Sequence, residues 1–244
     1  MNKSISINAD LGEGGVYDET LMPYINSCNI ACGGHFGTKA TIKKTLLFAK
    51  EYNVKSGAHP SFPDTDNFGR KVISITKQDL KTSILEQLLL FYKVCKDLEV
   101  EVNHVKPHGA LYNYAAIDAP TADAIVEAIL DSGKRPILYT LENTILHKKA
   151  ENLMPIHFEA FIDRTYTDIG ALVSRKEPHA LITNPDKAWT QFYNMVVNKI
   201  IVSESGNKIP CNASTFCIHS DTENSVEILK YIVRKAEEHN ITLQ

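Results

Sequence analysis

The sequence lacks the features that mark several classes of protein. It has no apolar run of eighteen residues that could span a membrane, no long basic run for nucleic acid and no low-complexity linker. Its five cysteines are an odd number without a Cys-x-x-Cys pair, which argues against a disulfide framework and against a zinc ribbon. With a formal net charge of -3, the chain is expected to bind small molecules or other proteins, not nucleic acid or a membrane.

A Walker A motif is also missing from the sequence. The glycine-rich segment 32–38 precedes a predicted helix and could offer backbone N–H groups to a phosphate or carboxylate, but its glycine spacing is wrong and Ala40 follows Lys39. The amino-terminal stretch enters a strand pattern without the apolar region of a signal peptide. We therefore expect a cytoplasmic protein with reduced thiols.

The pattern of apolar residues predicts the fold class. The 244 residues suit one α/β barrel domain over residues 1–244, and the 43% apolar and 23% charged fractions are ordinary for a globular protein. Strands are predicted at 4–9, 25–31, 54–58, 100–105, 135–140, 155–161 and 214–218, and helices at 39–52, 76–98, 119–130, 142–151, 184–205 and 222–239. This alternation predicts a parallel seven-stranded β/α barrel, with an open doubly wound sheet as the alternative.

Polar residues follow the ends of the predicted strands. His104, Lys106 and His108 occupy alternate positions, so on an extended chain they would share one face at spacings of about 6.6 Å. A blander interpretation is that two core histidines lie beside a lysine whose charged end reaches solvent. Further polar residues lie at or just after other strand ends: Asp10, His35, His59, Asp163, Arg164, His219 and Asp221. In a closed barrel these ends meet at one mouth, which predicts a single polar site.

Six ordered motifs carry a resemblance to a known family. They are NADLGEG (8–14), NIACGGH (29–35), GAHPSFPD (57–64), FGR (68–70), HVKPHGALYN (104–113) and FIDR (161–164). On these motifs the chain resembles, nearly end to end, the family of the 5-oxoprolinase A subunit, also called LamB/YcsF. Gly34 stands where that family commonly has Phe, and His179 and Ser220 stand where it has Gly. The change at Ser220 bears on how the turn places Asp221.

The resemblance implies both a fold and a function. The fold would be a seven-stranded β/α barrel of the glycoside hydrolase/deacetylase type. The function would be ATP-dependent opening of 5-oxoproline (pyroglutamate) to L-glutamate together with partner subunits B and C. The complex would consume ATP, and the small-molecule substrate would be a lactam.

The chemistry of a lactam assigns roles to the polar residues. An unstrained five-membered lactam is a poor electrophile, so we expect the partner subunits to phosphorylate its oxygen and this barrel to complete ring opening with water. The expected catalytic residues are Asp10 or Glu13 as base, His59 or His108 as proton donor, and Lys106 with the 33–38 backbone for the developing charge. The expected substrate-binding residues are Arg70 or Arg164 for the carboxylate, with His35, His104, Asp163, His219 and Asp221.

Two other functions are open at this stage. One is a metal-dependent amide hydrolase or deacetylase, in which Asp10, His59, His104 and His108 would ligate a divalent ion. On an extended strand, however, His104 and His108 would lie about 13 Å apart, so a divalent metal could bind but no metal site is predicted in this chain. The other is a non-catalytic subunit that binds 5-oxoproline and passes it to its partners.

Overall fold

Seven parallel strands close into a barrel in the computed structural model, which describes residues 5–244. The strands of the described chain are β1 (Ser6–Leu11), β2 (Ser27–Ala31), β3 (Lys55–His59), β4 (Val102–Val105), β5 (Ile137–Thr140), β6 (Ile156–Phe161), β7 (Ile200–Val202), β8 (Lys208–Pro210) and β9 (Thr215–His219). Strands β1 to β6 pair in chain order, and β9 closes the barrel between β6 and β1. The predicted parallel seven-stranded barrel is therefore confirmed, and the open sheet is wrong.

Helices connect the strands and cover the outside of the barrel. They are α1 (Asp18–Leu21), α2 (Lys39–Glu51), α3 (Lys77–Asp97), α4 (Gly109–Ala115), α5 (Ala119–Asp131), α6 (Ile145–Ala150), α7 (Pro185–Tyr193) and α8 (Ser225–Glu238). Side-chain oxygens accept backbone N–H groups at the starts of α2, α3, α5, α6 and α7, from Thr38, Thr76, Asp118, Thr144 and Asn184 respectively. These caps satisfy N–H groups that the helices themselves leave free, and they fix where the helices begin.

The structure corrects the sequence predictions at three places. The helix predicted over 184–205 is wrong beyond α7, because one π turn follows to Asn198 and Lys199 then adopts a left-handed φ of 57°. That conformation ends the helix, and the β-branched strand β7 pairs with β8 in an antiparallel hairpin. Two helices are present that the sequence pattern does not predict, α4 directly after the turn at Pro107 and the short α1. The first predicted strand began at Ser4, which lies outside the described residues.

The inside of the barrel is polar. Along β1, Ile7, Ala9 and Leu11 are fully buried toward the helices, whereas Asn8 and Asp10 point into the barrel because successive side chains alternate between faces. Aliphatic residues usually fill such an interior. Hydrogen-bonded polar side chains therefore fill the centre of the barrel, and the apolar core lies between the sheet and the helices. No helix within residues 5–244 is long and apolar enough to cross a membrane.

Candidate active site

A network of buried polar side chains forms the base of the site. Asn8 donates to Glu159 at 2.9 Å and to Thr215 at 2.8 Å, and Asn29 donates to Asn8 at 2.7 Å. His104 Nε2 lies 2.6 Å from the Asn29 side-chain oxygen, so this histidine belongs to the network. These hydrogen bonds satisfy groups that would be costly to bury alone.

A glycine in β3 makes room for His104. A Cβ atom at Gly57 would lie 2.2 Å from His104 Nε2, closer than any packing tolerates. On its other side the imidazole stacks on Tyr139, with ring centroids 4.1 Å apart. Burial lowers the pKa of His104 well below its usual range, with the Lys106 charge adding to the effect. His104 is therefore a neutral hydrogen-bonding group beneath the mouth.

Lys106 links this network to the mouth of the barrel. Its Nζ lies 3.0 Å from Asp10 Oδ1, 2.9 Å from Glu159 Oε1 and 3.0 Å from Cys217 Sγ. Burial favours the neutral amine, but the carboxylates outweigh it and raise the pKa of Lys106 well above its usual range. Burial likewise raises the pKa of Asp10, but His59 and Lys106 lower it more, so the net shift is well downward. Asp10 and Lys106 therefore form a buried ion pair.

Three histidines surround one carboxylate above this ion pair. Glu13 Oε1 lies 2.8 Å from His35 Nε2, 3.2 Å from His108 Nδ1 and 3.8 Å from His59 Nε2. The His35 and His108 rings stack with centroids 3.7 Å apart, and His59 meets His108 edge-on. The end of β3 and the loops after β1, β2 and β4 thus bring together residues that are far apart in the sequence. We call Asp10, Glu13, His35, His59 and His108 the carboxylate–histidine cluster.

The members of the cluster differ in protonation. Burial raises the pKa of Glu13, but its contacts with His108 and His35 lower it more, so the carboxyl group stays ionised. Burial lowers the pKa of His35 to about 4 and also lowers the pKa of His108. Burial opposes the charge on His59 too, but the Asp10 and Glu13 carboxylates outweigh it and raise its pKa. At neutral pH His59 is therefore the histidine of the cluster that most favours its charged form.

A second acid–histidine pair lies on the opposite side of the mouth. The Asp163 carboxylate is fully buried and accepts hydrogen bonds from the His219 backbone N–H at 2.9 Å, His219 Nδ1 at 3.0 Å and Thr222 Oγ1 at 2.5 Å. Burial raises the pKa of Asp163, but its contacts with His219 and Thr222 lower it to about 2. This bond directs His219 Nε2 toward the mouth, where it lies 4.0 Å from Asp10 Oδ2.

Two arginines and one aspartate cross the rim. Asp221 contacts Arg70 Nη2 and lies 3.1 Å from Arg175 Nη1, so one carboxylate joins the loops after β3, β6 and β9. Burial raises the pKa of Asp221, but Arg175 and Arg70 lower it more. Ser220, at the position where glycine was expected, is not among the described residues with positive φ, so the turn forms with an ordinary backbone. We call Arg70, Arg175 and Asp221 the rim clasp.

Arg164 has a different task from the rim arginines. Its Nη2 donates to the Val173 carbonyl at 2.6 Å and its Nε to the Ala180 carbonyl at 3.4 Å. It is buried, and burial lowers its pKa. Arg164 therefore holds the loop after β6 against the barrel, although its side chain also borders the cavity.

The cluster, Lys106 and the rim clasp surround one cavity of about 360 Å³, a size that suits a small ligand. Of the residues predicted for the site, those that line it are Asp10, Glu13, His59, Arg70, Lys106, His108, Arg164 and His219. The others stand behind this lining: His35 behind His108, His104 below, Asp163 behind His219 and Asp221 between the arginines.

The comparison with protein families decides the membership. Residues 5–244 match the model described as the LamB/YcsF family. The chain belongs to the LamB/YcsF family. Among its relatives, the 5-oxoprolinase A subunit of Staphylococcus haemolyticus is 40% identical over 98% of both chains, and that of Pyrococcus horikoshii is 38% identical over 98% of this chain and 96% of the relative. A solved lactam utilization protein from Thermus thermophilus superposes with a TM-score of 0.91 at 30% identity, covering 99% of each chain.

Several polar residues of this LamB/YcsF barrel were not predicted from the sequence. Asn8 and Asn29 precede the predicted site on their strands, and Asn8 is two positions before Asp10 and so shares its face. Glu159 shares a face of its strand with His157, a pattern that does not indicate its place as the second carboxylate partner of Lys106. Arg175 lies in a long loop where no periodic pattern could place it. Alternation alone could have found the two asparagines, but not the arginine.

Several cluster residues are also of the types that bind metal ions. Nitrogen, oxygen or sulfur atoms come within 4.8 Å of one another in three sets: Asp10 with His59 and His108, Glu13 with His35 and His108, and Asp10 with Cys217 and His219. His104 belongs to none of these sets, in line with the separation of His104 and His108 expected from the strand geometry. The first set combines two imidazoles with one carboxylate.

Proposed function

We propose that this chain is part of an ATP-dependent 5-oxoprolinase, in which it opens the activated lactam ring of 5-oxoproline to give L-glutamate. The observation that carries the proposal is the carboxylate–histidine cluster on the floor of a cavity whose rim has two arginines. Relatives that match nearly the whole chain are named as the A subunit of 5-oxoprolinase, and a close structural neighbour is a lactam utilization protein. Subunits B and C are the proposed partners, and they would bind and consume the ATP.

The proposed reaction divides between the subunits according to what each can supply. The partners phosphorylate the lactam oxygen, because an unstrained amide reacts slowly with water at neutral pH. This chain then directs water to the ring carbon, the C–N bond breaks, and the ring nitrogen takes a proton, which leaves an acyl phosphate. A second water hydrolyses this acyl phosphate to L-glutamate and inorganic phosphate. Enclosure in a cavity favours both steps, since it fixes the reactants and strengthens electrostatic interactions.

The electrostatics of the cluster support particular roles. Asp10 and Glu13 remain ionised at neutral pH, so either can accept the proton of an attacking water. His59 is the better proton donor, because its pKa is raised while that of His108 is lowered. The Lys106 ammonium, which borders the cavity, stabilises negative charge on the reacting oxygen or phosphate.

The rim clasp is the proposed site for the substrate carboxylate. Arg70 and Arg175 both border the cavity, and their shared partner Asp221 is itself a carboxylate that a substrate carboxylate can replace. Arg164 is the weaker candidate, because its guanidinium already donates to two backbone carbonyls. Asp163 orients His219, whose Nε2 faces the cavity as a second proton-transfer group.

The proposal is tested by reconstitution. ATP-dependent glutamate release from 5-oxoproline is measured with subunits B and C, with and without this chain. We expect activity only when the chain is present, and losses of at least about a hundredfold for Glu13→Gln and for His108→Ala, the size of a general acid–base contribution. His147→Ala, on a helix at the outside of the barrel, is the control and should keep full activity. Glutamate release without this chain would contradict the proposal.

The same variants separate catalysis from simple binding. Calorimetry with 5-oxoproline on the isolated chain reports binding without turnover. If Glu13→Gln and His108→Ala bind the lactam normally and also support full glutamate release, the chain has only a binding role in the complex. If they bind normally but release no glutamate, the cluster carries the chemistry.

A further inference from the structure

His59 and His108 each use one ring nitrogen to contact a backbone carbonyl. His59 Nδ1 lies 2.7 Å from the Lys106 oxygen, and His108 Nε2 lies 3.0 Å from the Phe68 oxygen. A carbonyl oxygen only accepts, so these outer nitrogens carry hydrogens. The inner nitrogens, His59 Nε2 and His108 Nδ1, are therefore lone-pair acceptors in the neutral rings, and they lie only 3.0 Å apart. Two acceptors at this distance require a proton or a metal ion between them.

Carboxylate oxygens converge on the same point. Asp10 Oδ2 lies 3.5 Å from His59 Nε2, and Glu13 Oε1 lies 3.2 Å from His108 Nδ1. Around a tetrahedral zinc ion with Zn–N bonds near 2.0–2.1 Å, neighbouring ligand atoms are about 3.3 Å apart. The His59–His108 and Asp10–His59 spacings, 3.0 and 3.5 Å, are close to this value.

The surroundings hold these atoms in place. Asp10 Oδ1 accepts from Lys106 at 3.0 Å and from Asn29 at 2.7 Å, which leaves Oδ2 directed at His59. Histidines that bind metals commonly donate their outer N–H to a carbonyl or carboxylate, and ligating carboxylates are themselves hydrogen-bonded. All three side chains therefore already have the outer contacts of metal ligands.

The charges also favour a bound cation. The Lys106 ammonium is shared between Asp10 and Glu159. Within residues 5–244, each ion pair of Glu13 is with a histidine, so no lysine or arginine there balances this buried carboxylate. A divalent ion between the inner nitrogens would supply that balance.

We propose that Asp10, His59 and His108 bind one divalent transition-metal ion of the zinc class, with Glu13 beside it. Two imidazoles and a carboxylate suit zinc, cobalt, iron or manganese better than magnesium or calcium, which prefer oxygen ligands. A bound ion of this class supplies Lewis-acid polarisation of a carbonyl or phosphoryl oxygen. That use rests on the proposed function, whereas the binding of the ion does not. Glu13, which His35 holds at 2.8 Å, stays available as the base, and His219 Nε2 replaces His59 as the proton donor when the ion is bound.

The test measures metal binding on the full chain without ATP or partner subunits. The protein is stripped with a chelator and titrated with Co²⁺, whose visible absorption reports its coordination. We expect one equivalent to bind, Zn²⁺ to displace it and Mg²⁺ not to do so. His59→Ala and His108→Ala should each weaken binding at least about a hundredfold, the upper end of the loss seen when only an outer contact is removed.

Matched control variants and a second measurement separate a loss of metal binding from a loss of folding. His147→Ala and His179→Ala replace histidines that are outside the cluster and should bind Co²⁺ like the wild type. Zinc X-ray absorption on the wild-type protein should show two imidazole ligands, and this result does not depend on how the variants fold. No saturable binding at one equivalent, a spectrum without imidazole, or normal affinity in folded His108→Ala would each overturn the proposal.

The outcome is separable from that of the proposed function. Failure of the chain to bind metal, while the reconstituted subunits need it for glutamate release, would reject the metal site and leave ring opening standing. Stoichiometric metal binding by a chain that the complex does not need for glutamate release would support the metal site and reject the proposed function.

Discussion

Replacement of Lys106 by methionine tests whether the ion pair at the barrel centre sustains the fold. The side chain is only 2% exposed and its ammonium lies about equally far from two carboxylates, at 3.0 Å from Asp10 and 2.9 Å from Glu159. At an effective dielectric constant near 20, each contact corresponds to about 5 kcal/mol of Coulomb attraction. The free energy of removing these charges from water offsets most of this attraction, so the ion pair contributes much less than this to stability. Methionine keeps the length of the chain but leaves two buried carboxylates unbalanced.

The expected loss of unfolding free energy is about 3–5 kcal/mol, the usual cost of removing one partner from a buried ion pair. In a chain of this size the melting temperature should fall by roughly 6 to 20 °C. Urea denaturation and calorimetry measure both quantities. The difference from the wild type should be largest at neutral pH. It should shrink on acidification, because the lowered pKa of Asp10 stabilises the fold above the ordinary carboxyl pKa and stops doing so once the group protonates.

A matched surface lysine provides the control. Lys81 also lies near two carboxylates, at 2.7 Å from Asp131 and 3.7 Å from Glu127, but on the outside of the protein. Lys81→Met should therefore change stability far less, because solvent screens such pairs. Adding Glu159→Gln to Lys106→Met should recover part of the loss by removing one unbalanced charge. Equal stability of the two methionine variants would refute the reasoning.

Three further expectations concern other parts of the site. Asp163→Asn should lower the free energy of unfolding by about 2 kcal/mol, because folding lowers the pKa of Asp163 from 3.8 to about 2. Urea denaturation should show a constant loss of stability above pH ~5 that shrinks as the pH falls toward 2. A loss that stays unchanged at low pH would contradict this expectation. Arg70→Ala and Arg175→Ala should each raise the KM for the lactam about tenfold or more with little change in kcat. The ATP-coupled assay measures both constants. An unchanged KM in both variants would exclude the rim clasp as the carboxylate site. The five cysteines are buried and free, so the folded chain should react slowly with a thiol reagent at pH 8. All five thiols should react only when the chain is unfolded. Fast labelling of the folded chain would show that a thiol is accessible.

The barrel could be predicted from local patterns, because apolar strands and amphipathic helices alternate with clear caps. Thr38 and Thr76 start helices where the sequence indicates, since a capping oxygen acts within one turn of its own position. The end of α7 could not be predicted in this way. Its apolar residues continue past Tyr193, and only the left-handed backbone at Lys199 turns them into a hairpin. That conformation depends on packing that no local pattern encodes.

The site could be predicted as a set of strand ends, but not as a geometry. Alternation correctly places Asp10 and Lys106 inside the barrel, where they pair. It fails for His108, because the chain turns at Pro107 and carries this histidine beside His59, the last residue of the neighbouring strand β3. Spacing on an extended strand separates His104 from His108, and His104 joins none of the possible metal-ligand sets in the structure, although the chain is not extended at His108. It could not reveal that His59 would take the place of His104 next to His108.

The attachment of the loop after β6 has a consequence for how such proteins diversify. Arg164 secures this loop at the carbonyls of Val173 and Ala180, while residues 174–179 between them carry Arg175 to the rim. Changes in length or charge within this short span would alter which molecules enter the cavity, yet leave both attachment points and the barrel untouched. The span is thus a natural place for new selectivity to evolve, and a convenient one for grafting it.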